Sequence, residues 1–342
     1  MIIIKILVTG ASGFVGRHIL QSLMQIQHSE LQVIAACRNA DKLPAGYQGE
    51  VRCGDLRDVD YLDRLLVGID VVCHAAGWSS FERQQDPQHQ AYLEPTLDLI
   101  NRAVEWRVQR FVNLSSLFVS APAQRNSAQL AGKPRASWPM LNGLIAIEDY
   151  LRQYRDSRTQ FINLRIGLYS GKQLNMGLLP LLLARSGKYS LPYYQGAYGH
   201  LPIVDGQDIG QAFSRAALAP LEAGYHSVNI SGAETPSHKA VMQFIKSQLG
   251  HSPLNYALPA ALAELVLFAR NLSARHAQQP LFTAAMRYML ASPEIDLQPA
   301  QSLLGYDPQI SWQASLLDTL DAFKHQRLNP ALSQPVKSLD LY

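Results

Sequence analysis

No stretch of this chain approaches the roughly 20 consecutive apolar residues that a bilayer-spanning helix needs, so no membrane span is expected. Cysteine is scarce: Cys37, Cys53 and Cys73 are the whole set. They sit in or beside apolar runs without metal-ligand spacing. That pattern gives no reason to expect a metal, and it reads as buried thiols in a reducing compartment. Neither sign of charge dominates. Thirty Lys and Arg against 27 Asp and Glu leave a net charge of +3. The basic residues are scattered, so nucleic acid is not an expected partner. There is no internal repeat and no low-complexity segment. The first residues read as a strand with a glycine turn close behind, not as a secretory signal. What remains is a cytoplasmic protein of enzyme size, its 342 residues enough for one large or two smaller domains.

What the chain does have begins at its first residues. Ile2-Ile3-Ile4-Lys5-Ile6-Leu7-Val8 is an apolar run of the kind that forms a buried parallel strand. Thr9-Gly10-Ala11-Ser12-Gly13-Phe14-Val15-Gly16 follows, and Phe14, Val15, Ile19, Leu20, Leu23 and Met24 then recur at helical spacing. Strand, glycine turn and helix together predict a dinucleotide site. Gly10 permits the tight turn, Gly13 lets a pyrophosphate approach the backbone, and Gly16 lets the helix pack close. Unpaired N–H groups at the helix start would face the phosphates. Gly10, Ser12, Gly13, Phe14, Val15 and Gly16 are therefore the first candidate cofactor contacts.

Strands and helices alternate through the first two thirds. Strands are expected at 32–37, 50–53, 70–74, 110–114 and 160–165. Helices are expected at 59–66, 90–106 (with Pro95 as an irregularity) and 141–154. This alternation predicts an α/β fold, a doubly wound parallel sheet with ligands at the carboxyl ends of its strands. Residues 1–170, with part of 201–232, would form this Rossmann unit. Residues 171–342 would form a smaller, mainly substrate-binding C-terminal region. Helices are expected there at 175–186, 205–218, 237–249 and 260–274, a strand at 225–230, and a Gly-, Pro- and Tyr-rich loop at 187–202.

The motifs Thr9–Gly16, Gly54-Asp55-Leu56, His74-Ala75-Ala76, Phe111–Ser116, Arg165–Gly171, Leu201–Asp208 and Leu304–Pro308 form one set. That set resembles the extended short-chain dehydrogenase/reductase family, also called the NAD-dependent epimerase/dehydratase family. The tail from 280 to 323 is more like the 3β-hydroxysteroid dehydrogenase and dihydroflavonol reductase branch. The resemblance implies that Asp55 and Leu56 hold an adenine. It implies that Ala75, Ala76 and Gly77 line the pyrophosphate and ribose, and that Ser115, Ile166 and Leu168 lie near the nicotinamide. A small-molecule substrate and a homodimer are implied as well. The dimer would form through helices at 96–107 and 141–154, with Ile145, Ile147, Tyr150 and Leu151 as its apolar surface. In the substrate loop, Tyr193, Tyr198 and His200 are the candidate contacts. His74 reads as a satisfied core histidine.

The choice of dinucleotide has a physical argument. An NAD site wants a carboxylate after the second strand. Here that position reads Ala35-Ala36-Cys37-Arg38-Asn39. Arg38 offers a permanently charged fork to a 2′-phosphate, and Arg17 and Lys42 would add to its field. NADP rather than NAD is expected.

The family's proton relay is missing. Its Pro-Tyr-Gly-x-Ser-Lys pattern aligns with Pro139 to Leu144, with Glu148 fixing the register. Met140 then stands for the tyrosine and Leu144 for the lysine, and neither moves a proton. No Tyr-x-x-x-Lys occurs elsewhere near 130–155. Tyr92 takes the place of the family's asparagine. Only a serine survives, as Ser116 or Ser115. Three readings follow: an oxidoreductase or epimerase with a rearranged relay, a reductase whose substrate needs little side-chain acid catalysis, or a non-catalytic NADP(H)-binding sensor or scaffold; a nucleotide-sugar epimerase or dehydratase is a further alternative.

Overall fold

The computed structural model describes residues 3–26, 30–77, 87–119, 139–154, 157–174, 193–194, 200–250, 257–258 and 295–328. The chain opens with β1 (Ile4–Thr9), α1 (Phe14–Gln25), β2 (Leu31–Cys37) and β3 (Glu50–Cys53). It continues through α2 (Val59–Leu66), β4 (Val71–His74), α3 (Pro87–Glu105), β5 (Arg110–Ser116), α4 (Pro139–Gln153) and β6 (Gln160–Ile166). Two of the later elements, α5 (Gly206–Leu218) and β10 (Tyr225–Ile230), complete the layered unit. Its sheet has seven strands in the order β10-β6-β5-β4-β1-β2-β3, every described pair parallel. Strand order reverses between β1 and β4, and a doubly wound sheet opens its ligand crevice at such a switch point.

Burial explains the sequence pattern. Ile6, Leu7 and Val8 are wholly buried, as are Phe161, Ile162, Leu164 and Ile166 of β6. Alternate side chains feed two cores. One lies under α2, α3 and α4 and holds Leu62, Leu99, Phe111, Ile145 and Phe161. The other lies under α1 and α5 and holds Ile19, Leu20, Val112, Ile162 and Phe213.

Outside the sheet, β7 (Leu168–Ser170) pairs with β9 (Ile203–Asp205). Asp205 caps α5 by accepting the Gln207 N–H, and its other oxygen accepts the Ser315 hydroxyl at 2.6 Å. Ser315 belongs to α8 (Trp312–Leu328), which is thereby tied to the start of α5. Tyr306, between α7 (Gln298–Leu304) and α8, is 1% exposed and donates to the Ser231 carbonyl.

Several expectations change. Helix α3 begins at Pro87 and runs through Pro95 to Glu105. Tyr193-Tyr194 is a short strand, β8, not loop, because it pairs in parallel with β11 (Ala257–Leu258). The helix expected at 237–249 is α6 (His238–Leu249), with Ser237 as its N-cap. Cys53 is exposed rather than buried, because β3 is an edge strand with a neighbour on one side only. Ile145, Ile147 and Leu151 are buried inside the chain's own core, so they present no surface to a second copy. Helix 141–154 is covered by the sheet and α3 on the face that carries them. The expected helices at 175–186 and 260–274 lie outside the described residues. Among the described residues, no helix is long and apolar enough to cross a membrane.

Candidate functional site

A cleft of about 1540 Å³ opens at the carboxyl ends of β1, β2 and β4, where the strand order reverses. Its walls include Gly10, Ser12, Gly13 and Phe14 from the glycine turn, and Cys37 and Arg38 at the end of β2. Gly54, Asp55 and Leu56 follow β3, and Ala75, Ala76 and Gly77 follow His74, the last residue of β4. Tyr92, Pro95 and Thr96 of α3 close one end. The sequence-predicted cofactor residues at these positions are thus brought together. Val15 and Gly16 lie just behind, buried in the first turn of α1.

The turn is built by steric necessity. Gly10 has φ +65°, and a Cβ there would sit 2.6 Å from the Ala76 nitrogen. A Cβ on Gly16 would overlap the Gly10 carbonyl oxygen. Gly13 differs. The protein would meet a Cβ there only at the Gly10 oxygen, 3.2 Å away. Room at Gly13 is therefore left on the cleft side. Gly13 also caps α1 without a side-chain hydrogen bond, and the first turn of the helix holds no acidic residue. A helix start without a side-chain cap or an acidic side chain leaves its dipole unopposed, an arrangement that suits an anion.

His74 ties the cradle to α3. Its Nδ1 lies 2.8 Å from Thr9 Oγ1 and its Nε2 lies 3.3 Å from Thr96 Oγ1. The Thr96 hydroxyl donates to the Tyr92 carbonyl at 2.9 Å, so it must accept from His74 Nε2–H. Nδ1 is then the acceptor, and the Thr9 hydroxyl donates to it. The imidazole is 1% exposed, and burial lowers its pKa from 6.5 to about 4. His238, also buried, is lowered to about 4 for the same reason. Between these values the unfolded chain binds protons that the folded chain does not. Stability is therefore fully present above about pH 6.5 and is lost as pH falls towards 4. Each histidine contributes a slope of up to about 1.4 kcal/mol per pH unit within that window. Urea unfolding at pH 7.0 and 5.0 checks this, and a midpoint unchanged between the two would refute it.

Charge at the end of the cleft near β2 and β3 is arranged by short links. Arg57 grips Asp55 with Nη2 to Oδ2 at 2.6 Å and Nε to Oδ1 at 3.0 Å. These bonds, ahead of opposing burial, lower the Asp55 pKa. Helix α2 is capped by Asp58, not Asp55. Arg38 is exposed on the cleft wall. Arg17 is otherwise engaged, donating to the Lys42 carbonyl at 2.8 Å and to Gln173 Oε1 at 2.8 Å. Both acceptors are neutral, so Arg17 keeps its charge on the cleft wall while it pins the 39–46 loop to the segment after β7. Arg57 was not singled out in the sequence, although its place two residues after Asp55 is the local signal.

The catalytic candidates fare differently. Ser115 is 1% exposed and donates to Glu148 Oε1 at 2.7 Å. Glu148 itself pairs with Arg165 at 2.7 Å, and both side chains are fully buried. Ser115 is therefore part of a structural ion-pair network. Ser116, its neighbour, projects to the other face of β5, and its Oγ accepts the Phe118 N–H at 3.3 Å. Neither serine is among the described walls of the cleft, nor are Ile166 and Leu168, which are buried. Leu144, in α4, is packed into the core beneath that helix. Met140 lies in α4. Tyr193 lies in β8, and Tyr198 falls outside the described residues. His200 is exposed and forms an isolated bridge with Ser237, away from the described walls.

A model of the NAD dependent epimerase/dehydratase family matches residues 6–231. The chain belongs to that family. This epimerase/dehydratase-family chain is 24% identical to the 3beta-hydroxysteroid-dehydrogenase/decarboxylase isoform 1 of Arabidopsis thaliana, across 96% of its own length and 81% of that protein. It is 32% identical over 119 residues to a 3 beta-hydroxysteroid dehydrogenase/Delta 5-->4-isomerase of Mycobacterium tuberculosis, a match spanning 33% of this chain and 31% of that one. Among solved structures, the UDP-glucuronic acid 4-epimerase from Bacillus cereus, in complex with UDP-glucuronic acid and NAD, has the same fold. The TM-score is 0.68 with 20% identity, covering 94% of this chain and 99% of the other. Extended short-chain dehydrogenase/reductase architecture, expected from the motifs, is thereby shown.

Proposed function

We propose that this family member binds NADP(H) along the cleft and acts as an oxidoreductase on a small, partly apolar alcohol or carbonyl compound. The observation that carries the reading is the uncapped start of α1 above Gly13, with Arg38 on the same wall. Gly10, Ser12, Gly13 and the N–H groups of Phe14, Val15 and Gly16 would hold the pyrophosphate. Asp55 and Leu56 would hold the adenine, and Ala75 to Gly77 the ribose side. Arg38 would take the 2′-phosphate. When bound, the nicotinamide supplies or accepts the hydride. Names of the plant and mycobacterial relatives favour an apolar alcohol or ketone over a nucleotide sugar.

The proton must come from a group other than the family's tyrosine. Tyr92 is the candidate. It lines the cleft beside Gly77, and burial raises its phenol pKa, so it is a protonated acid at neutral pH. A second reading, binding without turnover, is favoured by one observation. Leu144, where the family has lysine, is 8% exposed and packed in the core.

Dinucleotide titration and a hydride assay over an alcohol and ketone panel test both readings. Arg38→Ala should weaken NADPH binding by about 10- to 100-fold and leave NADH unchanged. NADH binding as tightly as NADPH to the native chain would sink the NADP preference. Turnover that vanishes in Tyr92→Phe with NADPH affinity kept would support the relay. Tight binding with no turnover on any compound would establish the second reading.

A further inference from the structure

Cys37 and Cys53 end β2 and β3, and they are Cα partners in the parallel register. Directly paired residues project from the same face of a sheet, across strands about 4.8 Å apart. That separation lies within the ~4.4–6.8 Å between Cα atoms that a disulfide accepts. Both thiols are free. Cys37 is 6% exposed and lines the cleft, whereas Cys53 is exposed on the edge strand. The residue after Cys37 is Arg38. The residues after Cys53 are Gly54 and Asp55, and the Gly54 N–H donates to the Cys37 carbonyl at 3.2 Å. Two adjacent thiols therefore stand one residue before Arg38 and Gly54 of the cleft wall, and Cys53 itself is not part of that wall.

We infer that Cys37 and Cys53 form an oxidisable dithiol whose disulfide weakens cofactor binding. The control over binding rests on the NADP(H) reading above, while formation of the disulfide does not. A low-molecular-weight disulfide is the oxidant. The exposed Cys53 thiolate attacks one of its sulfurs, breaks the S–S bond and releases one small thiolate. Cys37 then loses its proton to water and attacks the Cys53 sulfur, expelling the second small thiolate. Two protein thiols are oxidised and one small disulfide is reduced to two thiols. Burial, with Cys53 beside it, pushes the Cys37 thiol up to about 11, so Cys37 resolves and does not initiate. A disulfide holds its Cβ atoms about 3.5–4.5 Å apart. The cross-link would fix the spacing of the two strand ends, and with it the spacing of Arg38 and Asp55 that follow them. By linkage, a bound cofactor that needs another spacing opposes the cross-link.

The test uses the full reduced chain treated with oxidised glutathione. Peptide mapping should recover a linked Cys37–Cys53 peptide, while buried Cys73 stays a free thiol. NADPH titration should show an affinity at least about 10-fold weaker after oxidation, restored by dithiothreitol. Saturating NADPH should slow the cross-link. Cys53→Ser should bind NADPH as the reduced native chain does and ignore the oxidant. Absence of the linked peptide overturns the inference, and so does a cross-linked chain of unchanged affinity. A reduced chain that binds neither NADPH nor NADH overturns the cofactor reading, and the control with it. Loss that appears only after oxidation cannot arise that way.

Discussion

Gly16→Ala is expected to weaken dinucleotide binding by more than about 100-fold, because a misplacement near 1 Å at a preorganised site has that effect. The added methyl would overlap the Gly10 carbonyl, which is backbone and cannot rotate away. Helix α1 must then move off the turn. Its first N–H groups then leave their place beside the open side of Gly13, where the proposed pyrophosphate would sit. Overpacking of this kind also destabilises, typically by about 1–3 kcal/mol. NADPH titration and thermal melting read the two effects separately. Near-native affinity in a folded Gly16→Ala chain would show that the turn does not set the geometry of the cleft.

Arg165→Met is expected to cost about 3–5 kcal/mol of stability, the usual consequence of leaving one partner of a buried ion pair uncompensated. Glu148 would keep the Ser115 hydroxyl and a distant Arg152, 3.7 Å away, but would lose two nitrogens of a fully buried guanidinium. Burying a charge without its partner is the penalty at work. The double variant Glu148→Leu/Arg165→Met removes both charges and should recover most of the loss. Urea unfolding of the single and double variants measures this. A single-variant loss below about 1 kcal/mol would mean that Arg152 alone suffices for Glu148.

This network shows where sequence reading stopped. Glu148 served only to set the register of the Met140 and Leu144 alignment, and Ser115 stood beside Ser116 as a candidate for chemistry. In the fold, β5 and β6 pair Ser115 with Arg165, and α4 lowers Glu148 onto both. Partners 17 and 33 residues away in the chain leave no local pattern. The same holds for Thr9, His74 and Thr96. His74 was legible as a core histidine, but its tautomer follows from hydroxyls on β1 and α3. The apolar neighbourhood of Cys53 predicts burial, whereas its place on the sheet edge exposes it. Tyr193-Tyr194 was read as loop because its strand partner lies more than 60 residues on, at Ala257-Leu258.

Local chemistry determined much of this protein from sequence alone. A continuous apolar run, a glycine turn and an amphipathic helix specify a buried strand, a tight turn and a buried helix face, since each depends on residues a few positions apart. The sheet and its carboxyl-end cleft follow from repeating that unit. Tertiary structure decided what depends on distant partners: which serine is spent on an ion pair, which cysteines stand side by side, and which tyrosines line the cleft. Packing brings those groups together across strands and helices, and their energies arise only there.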